Sequence, residues 1–153
     1  MMYNGLLKKN NCVYKMKKIF PTDKKTNFLV ADDVRQEISN KAIIIGYYPD
    51  NRIKFLDNNI KISEVKPLML PSLNLLWVFT DGEGDFDMKA YIKDPNGVLT
   101  EIMSRKMNKN TDGATNLLLK MTPFIFHAFG EFESIIDLSE GHKYKRKFII
   151  NGH

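Results

Sequence analysis

The densest run of groups able to do chemistry is Asp81-Gly82-Glu83-Gly84-Asp85-Phe86-Asp87. Its four carboxylates could converge on a hard cation such as Ca²⁺, which takes about six to eight oxygen ligands. Asp81, Glu83, Asp85 and Asp87 are therefore the candidate metal ligands. The run lacks the bidentate acid that closes a helix-loop-helix calcium loop. A solvated hairpin tip explains the same residues more simply: glycines reach positive φ, and acids keep a turn in water.

Other groups form weaker patterns. His127, His142 and His153 are dispersed, and a zinc site needs about three or four ligands at fixed spacings. His127 shares a strand face with Ile125 and Phe129, so it reads as packed or hydrogen-bonded. His142 follows the Glu140-Gly141 turn and reads as exposed. Cys12 is the single cysteine, so no internal disulfide can form, and a reducing cytoplasm is expected. There is no Gly-x-Ser-x-Gly elbow, and Ser63, Ser72, Ser104, Ser134 and Ser139 sit in strand or turn contexts. Asp32-Asp33 and Glu131/Glu133 read as solvated neighbours, not as acid–base pairs. Gly82-x-Gly84 lacks the third glycine and following helix of a dinucleotide loop. No catalytic residue and no cofactor is expected.

The charge is lopsided. Of the formal +5, residues 1–25 hold seven lysines and one acid, and the remainder holds 16 basic and 17 acidic side chains. A basic tail gives at most a weak, salt-sensitive contact with phosphates. Lys143-Tyr144-Lys145-Arg146-Lys147-Phe148 also mixes cations with rings, as single-strand binders do. The alternation instead places the rings inward and the lysines in water. Nucleic acid is thus not the expected partner. No apolar run approaches the 18 or so residues of a membrane helix.

Elements able to position these groups are almost all strands. Residues 1–26 show no clean period and read as a flexible basic arm. Met16, followed by Lys17-Lys18, resembles a translation start, so residues 1–15 read as an upstream extension. Phe28–Val34 and Ala42–Tyr48 read as a first hairpin turning at Ser39-Asn40. Ile53–Phe55 is a short strand, and Ile60–Lys66 an extended edge piece ahead of Pro67 and Pro71. Leu73–Asp94 reads as a long hairpin. Its first arm is apolar on both faces, through Leu76 and Val78, so it sits centrally. Its second arm alternates Phe86, Met88, Ala90 and Ile92 with Asp87, Lys89, Tyr91 and Lys93. Asp94-Pro95-Asn96-Gly97 is a type I turn into Val98–Met103. Lys106–Gly113 reads as a loop. Leu117–Thr122 and Phe124–Phe129 read as one strand bent at Pro123. Glu131–Leu138 and Tyr144–Ile150 close the domain. The expected fold is one all-β domain, residues 27–151: an antiparallel β-sandwich of about eight strands, immunoglobulin- or C2-like.

Val30-Ala31-Asp32-Asp33-Val34, with Asn40-Lys41-Ala42-Ile43-Ile44-Ile45-Gly46-Tyr47, resembles the opening of a small uncharacterised bacterial β-sandwich domain family. Gly130-Glu131-Phe132-Glu133 through Asp137, with Tyr144–Ile150, resembles its last hairpin. Asn40 stands where that family tends to have glycine. The resemblance covers about residues 27–150. It implies a bacterial β-sandwich of unknown function and carries no catalytic residue. The expected function is a non-enzymatic binding or assembly module in a bacterial cytoplasm. It would act through protein–protein contacts, self-association included. The alternatives are a Ca²⁺- or ligand-responsive Asp81–Asp87 tip and a weak nucleic-acid contact through the arm.

Overall fold

The structure, a computed structural model, describes residues 17–39, 41–57, 59–63, 65–110 and 112–152. Expectations for residues 1–16, Cys12 among them, and for Asn40 and His153 lie outside those residues. The strands are β1 (Thr26–Gln36), β2 (Ala42–Tyr47), β3 (Arg52–Lys54), β4 (Leu68–Leu70), β5 (Leu73–Phe79) and β6 (Gly84–Lys93). They continue as β7 (Leu99–Lys109), β8 (Thr115–Met121), β9 (Phe124–Phe126), β10 (Gly130–Asp137) and β11 (Lys143–Asn151). Among the described residues there is no α-helix, only two short 3₁₀ turns.

The protein is an all-β sandwich. One main sheet has the order β2-β1-β5-β8 and the other β3-β11-β10-β6-β7, while β4 and β9 form a two-stranded ribbon. Every pairing is antiparallel except β3 with β11, which is parallel. The two inner faces meet in one core, as the alternation of β6 and β11 requires. Val30, Leu75, Trp77, Phe79 and Leu117 from the first sheet pack with Phe86, Met88, Phe132, Ile136, Tyr144 and Phe148 from the second. Trp77 is fully buried and bridges the sheets through a 3.1 Å hydrogen bond from its indole N–H to Ser134 Oγ.

Three expectations about the strands fail. The Leu73–Asp94 segment is not a hairpin. β5 pairs with β1 and β8, while β6 pairs with β7 and β10, so the chain arches from one sheet to the other. Two strands that each carry an apolar face satisfy an arch as well as a hairpin, because an arch sets those faces opposite each other across the core. Gly82 and Gly84, at φ 93° and 129°, turn that corner. Lys106–Lys109 is strand, not loop: β6 runs to Gly84 and pairs with β7 as far as Lys109. Cross-strand pairing there overrides the weak strand preference of Lys and Asn. The segment Leu117–Phe129 divides at Pro123, with β8 in the main sheet and β9 in the ribbon.

The described part of the basic arm is docked. Ile19 exchanges two 2.8 Å backbone hydrogen bonds with Glu83. The Phe20 ring stacks on His142 with centroids 3.6 Å apart. Pro21 is buried, and its carbonyl accepts a 2.7 Å bond from the Tyr144 hydroxyl. Asp23 meets the Arg146 guanidinium at 2.8 Å. Residues 17–26 therefore belong to the sandwich, since the arch and β11 supply partners for an otherwise aperiodic segment.

Candidate functional site

The acidic run lies on the arch between the sheets and the start of β6. Asp81 Oδ1 accepts the Thr22 backbone N–H at 2.8 Å. Partial burial alone would raise the Asp81 pKa, but the bonds from Thr22 and the nearby Lys25 charge outweigh it and hold the carboxyl below its ordinary value. Glu83 is tied through its backbone to Ile19. Asp85 accepts a 2.6 Å bond from the Asn108 amide on β7. Asp85 and Asp87 are exposed on the face of β6 opposite Phe86 and Met88. Among the described residues, no three His, Cys, Asp or Glu side chains gather where they could hold a metal ion. The arch sends these acids to separate partners. A hairpin tip would have kept them together.

The remaining sequence candidates also scatter. His127 is exposed beside β9, and His142 is stacked on Phe20. Ser134 is buried as the Trp77 acceptor. The Asp32 carboxylate accepts a hydrogen bond from the Tyr48 hydroxyl, whose pKa is pushed up to about 12 by burial and by that carboxylate. The basic stretch 143–148 is neutralised by its neighbour strand. Lys143 lies 3.7 Å from Asp137, Lys145 4.0 Å from Glu133 and Lys147 2.8 Å from Glu131. Tyr144 and Phe148 face the core, as their alternation with the lysines predicts.

The two sheets differ sharply on their outward faces. Outside the five-stranded sheet run the lysine–carboxylate pairs just described, together with Lys89 and Glu101 at 3.8 Å. Outside the four-stranded sheet, register aligns Leu29 of β1, Leu76 of β5 and Leu118 of β8 in one row. These residues, with Val78, Ala31 and Val34, form a second apolar cluster separate from the core. Leu29, Val78 and Leu118 are only half-buried. Lys120 and Arg35 border the row, meeting Asp33 at 3.1 and 2.9 Å and holding that carboxyl below its ordinary value, the Arg35 bond first and the Lys120 bond second.

At the edge of the same sheet lies β2, Ala42-Ile43-Ile44-Ile45-Gly46-Tyr47, exposed at every position. Ile43, Ile44, Ile45 and Tyr47 keep 44, 39, 42 and 52% of their surface in water. An unpaired strand edge with exposed aliphatic side chains is a template for another strand. Sequence reading found the strand but not its exposure. The available signal was three consecutive isoleucines in a first-hairpin arm, beside a β5 apolar on both faces.

No family model matches the chain and no curated protein matches it, which accords with the resemblance to an uncharacterised domain. Among solved structures, β-glucosidase from Listeria innocua is similar in its complexes with glucose and gluconolactone, each at a TM-score of 0.39 and 8% identity. Its complex with isofagomine gives a TM-score of 0.37, also at 8% identity. Each alignment covers 84% of this chain but 16% of the glucosidase, so the chain spans about a sixth of that enzyme's length. Likeness at this level carries nothing about chemistry.

Proposed function

We propose that this protein is a non-enzymatic binding or assembly module that acts through protein–protein contacts. The uncharged β2 edge, exposed at each of its six positions, supports the reading most directly. An apolar cluster on the same sheet reaches this edge at Ala31, opposite Tyr47, while Asp33 and Arg35 lie opposite Ile45 and Ile43. Contiguous exposed apolar surface of this kind marks interaction sites more often than scattered single residues do. The single cysteine and the bacterial resemblance favour a bacterial cytoplasm as its setting.

The test is affinity capture from the native host with three baits. These are the natural chain, an Ile45→Lys variant, and a Lys89→Ala variant on the charged outer face. Proteins bound through the β2 edge, further copies of the chain included, should be lost with Ile45→Lys and kept with Lys89→Ala. Absence of any β2-dependent partner would sink the reading, as would robust turnover of a substrate by the purified protein.

A further inference from the structure

At the edge of the sandwich away from β2, strand β7 of one sheet adjoins β8 of the other. β8 ends at Met121, and beyond Pro123 the chain enters the β9 ribbon. On β7 the register skips Ile102, since Met103 lies opposite Ala90 and Glu101 opposite Tyr91. Such a bulge bends its strand. Thr100, opposite Ile92, is on the inner face of the sheet and yet exposed.

A cleft of about 420 Å³ opens here, between the start of β7 and β9. Its floor is the core itself: Ile92, Met121, Phe124, Phe126 and Phe132 are each 8% exposed or less. Its mouth carries Val98 and Ile125, 58 and 53% exposed, with Thr100, Asp94 and His127. Two other clefts, of about 530 and 520 Å³, lie instead over charged side chains of the outer face, Lys89 and Lys147 among them. Small-molecule sites are concave and mostly apolar, hold a few polar groups that fix orientation, and run from about 300 to 1,000 Å³.

Charge decides what kind of molecule fits. Among the described residues lining the cleft, Asp94 is the one carboxylate, and there is no lysine or arginine. The turn fixes Asp94, whose carboxylate accepts the Val98 backbone N–H at 2.8 Å. The adjacent Lys93 alternates to the outer face, opposite Glu133, and Lys147 is held by Glu131 at 2.8 Å. An anionic head group at this mouth would meet a like charge, and an ammonium would meet its opposite.

We propose that the cleft binds a small apolar amine, its ring or short chain on the phenylalanine floor and its ammonium beside Asp94. The site lies at the other edge of its sheet from β2 and is independent of the protein-contact reading.

The probe is 4-phenylbutylamine, with 4-phenylbutanol and 4-phenylbutyrate as its neutral and anionic counterparts. A ligand of about eleven non-hydrogen atoms should bind with a dissociation constant on the order of 1 mM. Nuclear magnetic resonance titration of the full chain at low salt reads all three constants. The amine should bind about threefold tighter than the alcohol and the acid about threefold weaker, as a solvent-exposed charge pair allows. Overhauser contacts from the phenyl protons should reach the methyl groups of Ile92, Ile102 and Met121. Asp94→Asn should abolish the advantage of the amine and leave the alcohol unchanged. Thr100→Trp fills the mouth from an exposed position and should weaken amine and alcohol by at least about tenfold. Leu99→Trp, its exposed neighbour on the outer face, should leave both unchanged. Backbone amide spectra check that each variant folds. Equal binding of amine, alcohol and acid would overturn the charge assignment. Binding indifferent to Thr100→Trp, or Overhauser contacts elsewhere, would overturn the cleft, and no binding up to about 10 mM would overturn both. Ile45→Lys should leave the amine bound, so the failure of either site is read separately from the other.

Discussion

Removing the Arg146 guanidinium should cost the fold about 3 kcal/mol, and most of that loss should have nothing to do with its ion pair. Its Nη2 donates to the backbone carbonyls of Asp23 and Thr26, each at 2.9 Å. Its Nη1 donates to the Asp23 carboxylate and to the Lys145 carbonyl, each at 2.8 Å. The guanidinium lies 5.6 Å from the centre of the Trp77 ring. The Arg146 side chain is 25% exposed, but Asp23 is 65% exposed. An exposed carboxylate contributes at most about 1 kcal/mol to such a pair. A hydrogen bond from a charged donor is worth about 1.5 kcal/mol or more, and the ring contact about 0.5–1 kcal/mol. These terms share one side chain and do not add fully, which leaves about 3 kcal/mol for Arg146→Ala. At about 2–4 °C per kcal/mol for a domain of this size, the melting midpoint should fall by about 6–12 °C. Asp23→Ala should lower it by less than about 4 °C. Thermal and urea melts at low and high salt separate the two contributions, because salt screens the exposed pair and not the backbone bonds. An Asp23→Ala cost as large as that of Arg146→Ala, or an Arg146→Ala penalty that vanishes in high salt, would refute this partition.

The Tyr144 hydroxyl is held to the Pro21 carbonyl, and its pKa is pushed up to about 12 by burial first and by the charges of Asp81 and Asp23 second. Its contribution is complete below the unfolded value of 10.0 and drains away as pH rises toward about 12. Tyr144→Phe should cost about 1 kcal/mol at neutral pH and flatten the alkaline limb of the stability profile, read by urea melts across pH. An unchanged alkaline limb would refute it. Asp81 runs the other way, since its folded value is depressed. Its stabilisation is present above the unfolded value of 3.8 and is lost as pH falls through the folded one, so Asp81→Asn should flatten the acid limb. Millimolar Ca²⁺ should leave the melting midpoint of the natural chain unchanged, because Asp81 and Asp85 are engaged by Thr22 and Asn108. Saturation at 100 times the dissociation constant would add about 2.7 kcal/mol, and a shift of that size would restore the calcium reading.

Period-two alternation made β6, β10 and β11 legible, because each buries one face and wets the other. Phe86, Met88, Ala90 and Ile92 are buried as that pattern requires. Alternation says which face is inside, not which strand lies beside it, so the arch between β5 and β6 passed for a hairpin. Lys109 hid the end of β7 for a related reason. It is almost wholly buried, its ammonium satisfied by the carbonyls of Asn110 and Gly113 at 2.5 and 2.7 Å. Nothing local marks a lysine for such a place. The docking of Ile19–Thr26 was equally hidden, since its partners Glu83, Asp81, Tyr144 and Arg146 lie about 60 to 120 residues away. The candidate face was half visible. Leu76 and Val78 announced an apolar second face on β5, but a covered central strand and an uncovered one have the same sequence.

The parallel contact between β3 and β11 has a consequence for synthesis. The four-stranded sheet has all its strands once Met121 is made, whereas β3 meets Ile149–Asn151 only at the far end of the domain. During that interval Leu75, Trp77, Leu117 and Leu119 have no finished sheet to cover them. Chains whose key contacts are distant in sequence fold slowly and expose sticky surface while they wait. The uncharged β2 edge is already present at that stage, so nascent copies on neighbouring ribosomes are where mispairing is most to be guarded against.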